Sequence, residues 1–234
     1  AYSEVFKQNM LYTAFKNTVV LTVIGTFLST AATTITAYPL SKRYLPARGI
    51  FMSFIIFTMF FGGGLVPMFI LIRNLGLMNT MWALILPGLI GTFNMILIKN
   101  FFLSIPISLD ESARIDGADD FKIFYKIYLP LSIPVIATII LFYAVGYWNS
   151  FMNVVFYITS PSKRTLQVVL NDLIFLTQKQ SEISQQIGLV TVTVPNIEGV
   201  KNAIMIVSIL PMAILYPFIQ KYFITGIMLG SLKE

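Results

Sequence analysis

The sequence predicts an all-α protein, a polytopic transmembrane helical bundle with about five spans. Three observations carry that reading. Apolar types make up 56% of the 234 residues and charged types 11%, less than half of the ~25% typical of a soluble domain. The mean hydropathy is +0.80. The apolar residues also fall in runs near the ~20 residues a helix needs to cross a bilayer. Together these exclude an ordinary soluble enzyme, a disordered chain and a collagen-like fibre.

The first span runs from Ala14 to Leu40, is rich in Thr and Ala, and closes on Tyr38-Pro39. The second runs from Ile50 to Ile72 and holds Gly62-Gly63-Gly64 and Pro67. Those glycines permit either close packing or a kink, or else line a pore. The third spans Met81 to Ile98 around Pro87-Gly88, and the fourth Leu129 to Ile158, entered through Pro130 and Pro134. The fifth covers 203–219, with Pro211 and Pro217. We expect one further span before Ala1, giving six in the intact protein with both ends inside, because nothing at the start reads as a signal peptide.

Charge placement orients the bundle. Lys42, Arg43, Arg48, Lys99, Arg114, Lys122, Lys126, Lys221 and Lys233 fall on one side, crowded into short loops. Lys7, Lys16, Arg73, Lys163, Arg164, Lys179 and Lys201 fall on the other, in longer segments. Short basic loops stay cytoplasmic, which makes the first side the inside. The net charge of +6 is then explained by a membrane without nucleic acid.

Chemistry is scarce. The chain has no Cys and no His, which removes thiol nucleophiles, the commonest metal ligand and the commonest general base. Spans two to five contain no Asp, Glu, Lys or Arg, and span one only Lys16 near its start. A proton relay or ion path would need such groups at membrane depth. No G-x-x-x-x-G-K-[ST] phosphate loop occurs either. Any work is therefore driven from outside this chain.

The loop over 106–130 is the informative stretch. It reads Asp110-Glu111-Ser112-Ala113-Arg114-Ile115-Asp116-Gly117-Ala118 and continues to Ile127-Tyr128-Leu129-Pro130. Acidic residues follow Pro106 and Ser108, where a helix N-terminus favours them. Ser112 and Ala113 keep one face small, and Gly117 can take positive φ and end a short helix. Asp119 and Asp120 can open a second, on which Phe121, Phe124, Tyr125 and Tyr128 form one apolar stripe.

This loop resembles the E-A-A-x3-G-x9-I-x-L-P loop of permease subunits in binding-protein-dependent ABC importers. Glu111, Ala113, Gly117, Ile127, Leu129 and Pro130 fall on the family's positions without a gap, and Ser112 replaces the usual Ala. The resemblance covers essentially the whole chain as a single permease domain over 1–234. Phe15-Lys16-Asn17-Thr18 and Ala37-Tyr38-Pro39-Leu40-Ser41 look like the family's entry to and exit from the first span, and Gln220 to Lys233 is similar to the tail of MalG-type carbohydrate permeases. The stretches Phe61 to Pro67 and Tyr147 to Ser150 look most like a sub-branch handling larger or decorated oligosaccharides.

The resemblance implies a non-catalytic transport subunit in a bacterial cytoplasmic membrane. Its expected partners are a second homologous permease, two ATPase subunits, an extracytoplasmic sugar-binding protein and membrane lipid. No cofactor or metal is expected in this chain, since ATP and Mg belong to the ATPase subunits. Glu111, Ser112, Ala113, Asp116, Gly117, Ala118, Ile127, Leu129 and Pro130 would form the coupling unit that sits in a cleft of the ATPase. In MalG itself the tail reaches between the ATPase subunits, which would place Leu232, Lys233 and Glu234 there. The outer loop over 159–201 would dock the binding protein, with Gln178, Gln180, Ser181, Ser184, Gln185 and Gln186 suited to a wet contact.

A sugar path needs amides, hydroxyls and aromatic faces. Tyr143, Tyr147, Trp148, Asn149 and Asn153 supply them in span four and Asn94 in span three. Tyr143 and Tyr147, like Asn149 and Asn153, are spaced to share a helix face. The same aromatic residues would equally suit an interfacial belt, and the amides helix packing. The expected cargo is an oligosaccharide, with a uronate-containing one compatible with the basic charge. Two alternatives stand beside it. One is an ABC importer for a non-sugar solute. The other is a membrane-embedded enzyme with Asp116, Asp119 and Asp120 holding Mg²⁺ against a diphosphate, for which the required second acidic cluster is missing.

Overall fold

The computed structural model describes residues 9–186, together with Ile206, Ile209 and Ala213. The rest of the expected fifth span, the outer loop beyond 186 and the tail with Leu232, Lys233 and Glu234 lie outside the described residues. So do the side chains of Gln178, Gln180, Ser181, Ser184, Gln185 and Gln186.

The central element is α1, Asn9–Ser41, one helix of 33 residues that is long and apolar enough alone to cross a membrane. Thr18, Thr22, Thr26, Thr30 and Thr34 recur along it every fourth residue, so their side chains stack in a slowly winding column. α2, Arg48–Phe60, and α3, Leu65–Asn74, meet at 111°. The expected continuous span Ile50 to Ile72 is therefore broken. Gly64 takes φ +83°, a left-handed conformation that stops a helix, and Gly62 and Gly63 offer no side chains to bridge the gap.

α4, Trp82–Ile85, extends as a 3-10 turn over Leu86–Gly88 and bends by 49° into α5, Thr92–Ser104. α5 runs past the expected limit at Ile98, so Lys99 lies on the helix and not in a loop. Next come the short helix α6, Ile107–Ile115, and a compound segment. That segment is α7, Asp120–Ile123, a π-helical turn Phe124–Tyr128, and α8, Leu129–Leu131. It turns by 79° into α9, Ile133–Trp148. Pro130 and Pro134 bring no N–H to the carbonyls of Lys126 and Pro130, which accounts for the loosened turn and the bend. α9 ends at Trp148, ten residues short of the expected limit at Ile158, and α10, Met152–Tyr157, follows after a break. α11, Leu166–Gln186, closes the described part.

α1 packs between α5 and α9. The core joins Leu21, Ala37 and Tyr38 of α1 to Met95, Ile98 and Phe102 of α5 and to Val135, Ile139, Tyr143 and Tyr147 of α9. Small residues let the helices approach, and hydroxyls tie them. Ser29 Oγ bonds Tyr147 Oη at 2.8 Å and Thr33 Oγ1 bonds Tyr143 Oη at 2.6 Å. A second cluster of Leu11, Ala14, Trp148, Leu166, Val169 and Leu170 fastens α11 to the start of α1.

The two ends of the bundle are built differently. At one, Asn79, at φ +60°, accepts from Ser160 N at 3.1 Å and donates to Ser160 Oγ at 2.8 Å and to the Tyr157 carbonyl at 2.8 Å. Asn17 donates beside it to the carbonyls of Ser162 and Arg164. At the other end, the loop after α1 meets α6 and α7.

Candidate coupling site

α6 begins at Pro106 and ends through glycine. Gly117 has φ +75°; its N–H donates to the Arg114 carbonyl at 3.0 Å and Ala118 N–H to the Ala113 carbonyl at 2.9 Å. That pair of bonds is a Schellman closure, which needs a left-handed residue at Gly117 and draws Ala113 and Ala118 together. Asp119 then caps α7, its Oδ1 accepting from Lys122 N at 2.8 Å. Both events were legible in the sequence. The apolar stripe was not. Ile123 and Tyr128 are buried and Phe124 packs against the core, whereas Phe121 and Tyr125 face outward, so the four aromatic residues split into an inward and an outward pair, each four positions apart.

The exposed side of the unit comprises Glu111, Ser112, Asp116 and Gly117, with Ile115 at 86% and Phe121 at 76% exposure. Ala113, Ala118, Ile127 and Leu129 are half-buried and Pro130 is exposed. Asp110 is the one side chain of α6 that is buried. It meets Lys42, the residue after α1, at 3.1 Å. Lys42 is 5% exposed, with its ammonium 3.9 Å from the ring centre of Tyr128 and 4.5 Å from that of Tyr38.

An outer layer covers this pair. Tyr44 Oη donates to Asp120 Oδ1 at 2.7 Å and accepts from Arg114 Nη2 at 2.8 Å, while Arg114 also pairs with Asp120 directly. Tyr38 Oη donates to the Asp120 carbonyl at 3.1 Å. The Tyr44 hydroxyl bond, with the adjacent Arg114, holds the Asp120 carboxyl below its ordinary range. Burial, and then the bond to Asp120, push the Tyr44 hydroxyl up to about 12. The bond to Asp120 raises Arg114 further. Lys42, Tyr44 and Asp110 had no local pattern to reveal them as a cluster, since Lys42 and Asp110 stand 68 positions apart.

The residues expected along a sugar path lie apart from one another. Tyr143 and Tyr147 share a face, as their spacing implies, and both hydroxyls are bonded to α1. Tyr143 Oη also accepts from Gly91 N at 2.7 Å, beside the half-buried Asn94. Trp148 is buried in the α11 cluster. Asn149 and Asn153 do not share a face: Asn149 ends α9 and donates to the Val145 carbonyl at 3.0 Å, while Asn153 is exposed on α10. Sequence reasoning passed over the threonine column. A groove of about 600 Å³ runs between α1 and α9, lined by Thr22, Thr26 and Thr30. The hydroxyls of those three are buried without a partner among the described residues.

A polytopic helical bundle that carries a short, exposed, glycine-closed helix beyond its spans has the architecture of a transport permease. The comparisons agree with that class. The chain belongs to the family of binding-protein-dependent transport system inner membrane components, whose profile matches residues 29–228. It is 43% identical over 233 residues to the polygalacturonan/rhamnogalacturonan transport system permease protein YtcP of Bacillus subtilis, covering 100% of this chain and 81% of that protein. Protein LplC of Bacillus subtilis is 42% identical over 236 residues, covering 100% and 78% respectively. A crystal structure of a bacterial ABC transporter that imports the acidic polysaccharide alginate matches with a TM-score of 0.85 and 34% identity, over 95% of this chain and 78% of that one.

Proposed function

We propose that the chain is one of two permease subunits of an ABC importer that carries a uronate-containing oligosaccharide into the cytoplasm of a bacterium. The observation that carries this reading is the 43% identity, over the full chain, to a polygalacturonan/rhamnogalacturonan permease. The likeness to an alginate importer supports it independently. Both relatives handle acidic sugar polymers, which favours this cargo over a neutral sugar or a non-sugar solute.

In this reading the exposed face of α6, from Glu111 to Gly117, seats in a partner ATPase subunit, and Ile127, Leu129 and Pro130 carry its displacement into α9. ATP and Mg are held by the ATPase pair, and this chain breaks no bond. A binding protein delivers the sugar to the side of Asn79 and α11. The spans then alternate between outward- and inward-facing states. The groove beside Thr22, Thr26 and Thr30, whose hydroxyls are buried without a partner among the described residues, would have to open for a passing sugar to meet them.

The test is purification of the full-length protein from its native membranes, followed by uptake in proteoliposomes. A second permease and an ATPase should co-purify. With binding protein and ATP, labelled trigalacturonate should accumulate in preference to maltotriose. Preference for maltotriose would refute the acidic cargo, and a chain that purifies alone would refute the importer.

A further inference from the structure

α6 is not packed closely along any other described helix. Its other side chains are exposed or half-buried: Ala113 packs against the edge of the core, and Asp110 is the one that is buried. The buried anchor of this helix is thus a carboxylate, on an ammonium that is itself buried between two tyrosine rings. Desolvating two charges makes such a pair a poor source of stability, and apolar neighbours of similar volume often replace one without loss. What it supplies is direction: the Lys42 ammonium on the Asp110 carboxylate, which Arg114 Nε of the same helix also approaches at 3.8 Å, sets one relative orientation of two elements 68 positions apart.

We infer that Lys42 and Asp110 are positioning residues for transport, a joint that makes α6 and the adjoining end of α1 move as one body. The inference rests on the importer reading above. Without the joint, a push on α6 reaches the bundle through two chain connections, the turn Ile105-Pro106 and the Gly117 closure with its π-turn, neither a stiff rod. It also passes through the small contact of Ala113 and the exposed Arg114–Tyr44 bond. With it, the displacement enters α1 directly, and α1 carries both the Tyr143 and Tyr147 bonds to α9 and the threonine column. The outer layer of Tyr44, Arg114 and Asp120 ties α7 to the same point.

The experiment uses the complete importer in proteoliposomes, with full-length chain, second permease, ATPase pair and binding protein. Two variants are compared with the unmodified complex: Asp110→Asn, which keeps shape, and Lys42→Met with Asp110→Leu, which keeps packing. Three quantities are read: assembly yield, trigalacturonate taken up per ATP hydrolysed, and the distance between spin labels at Ser108 and Ile35 on trapping with ATP and vanadate. The joint predicts that both variants assemble and hydrolyse ATP near the unmodified level. Uptake per ATP falls by at least about fivefold. The label distance, steady to within about 2 Å in the unmodified complex, shifts on trapping in the variants. Lys42→Arg should restore both readouts in large part.

A merely structural role would instead lower assembly and uptake together, with the apolar double variant restoring both. That outcome, or a steady label distance with uptake per ATP unchanged, overturns the joint. Should the double variant not assemble, Asp110→Asn decides on the same readouts. The unmodified complex tested alongside separates the two claims. Failure there to assemble or to drive uptake sinks the importer reading and the joint with it, whereas normal behaviour there leaves only the joint in question.

Discussion

The ring of Tyr147 lies directly over Gly25, so close that a Cβ at Gly25 would stand 2.8 Å from Cε2. The ring cannot swing away without breaking its 2.8 Å bond to Ser29. Gly25→Ala should therefore force α1 and α9 apart and cost about 1–3 kcal/mol, the usual range for overpacking. Tyr147→Phe removes one interhelical bond and should cost less, ~0.6 kcal/mol. Thermal melts of the purified protein in mild detergent would rank the two, and the opposite order would show that the ring is free to move.

Gly117 has open space around it, with nothing within 4 Å of the point a Cβ would occupy, so substitution there is resisted by the backbone. Holding a side chain at φ +75° costs roughly 1–2 kcal/mol, less for Asn. Gly117→Val should loosen the Schellman closure and Gly117→Asn should largely keep it. Gly117→Asp should insert normally and abolish transport, since it adds a charge to the exposed face that we propose seats in an ATPase. Membrane yield and uptake, measured side by side, check the series; normal uptake by Gly117→Asp would remove the coupling role of this turn.

The Tyr44–Asp120–Arg114 layer sets a pH window. The Asp120 carboxyl is held below its ordinary range in the fold. Its contribution is therefore complete above the unfolded value near 3.9 and disappears as pH falls through the lower folded value. Tyr44 is pushed up to about 12, so its contribution is complete below the unfolded value near 10 and fades as pH rises past the folded one. Stability at this end should be flat from about pH 5 to 9, with the acid limb shallower in Asp120→Asn. Melting temperature against pH for the two proteins tests this. The effect should be small, because Asp120 and Arg114 are substantially exposed and screened.

Thr22, Thr26 and Thr30 each keep a buried hydroxyl without a partner among the described residues, an arrangement that costs stability. Replacing all three by Val, nearly isosteric and free of that cost, should leave the melting temperature equal or higher. Uptake of trigalacturonate should fall if the column serves the sugar. Unchanged uptake by a well-folded triple variant would take the path away from this groove.

The apolar runs were legible in the sequence because length and hydropathy are local properties. The capping at Gly117 and Asp119 was legible because each depends on a residue type at one turn. The breaks were only half legible. Gly62 to Gly64 announced a weak point, yet the 111° turn that follows depends on what α2 and α3 pack against. Asn149 and Asn153 were read as one face because helical spacing was carried through a helix end that no proline or glycine marks. Lys42 was legible as a charge and not as a partner. Its place depends on α6 and the π-turn converging on the end of α1, a tertiary fact without a sequence period.

Because α6 buries only Asp110 and rests only Ala113 against the core, most of its surface is free to vary without disturbing the bundle beneath it. Such a helix is an exchangeable fitting. On the proposed importer reading, a lineage can retune which motor it accepts by changing exposed residues such as Glu111, Ser112 and Ile115, while the carboxylate underneath keeps the plug seated in its socket. Grafting the exposed positions of another permease onto this helix, with Asp110 retained, is accordingly the economical route to re-pairing the chain with a foreign ATPase.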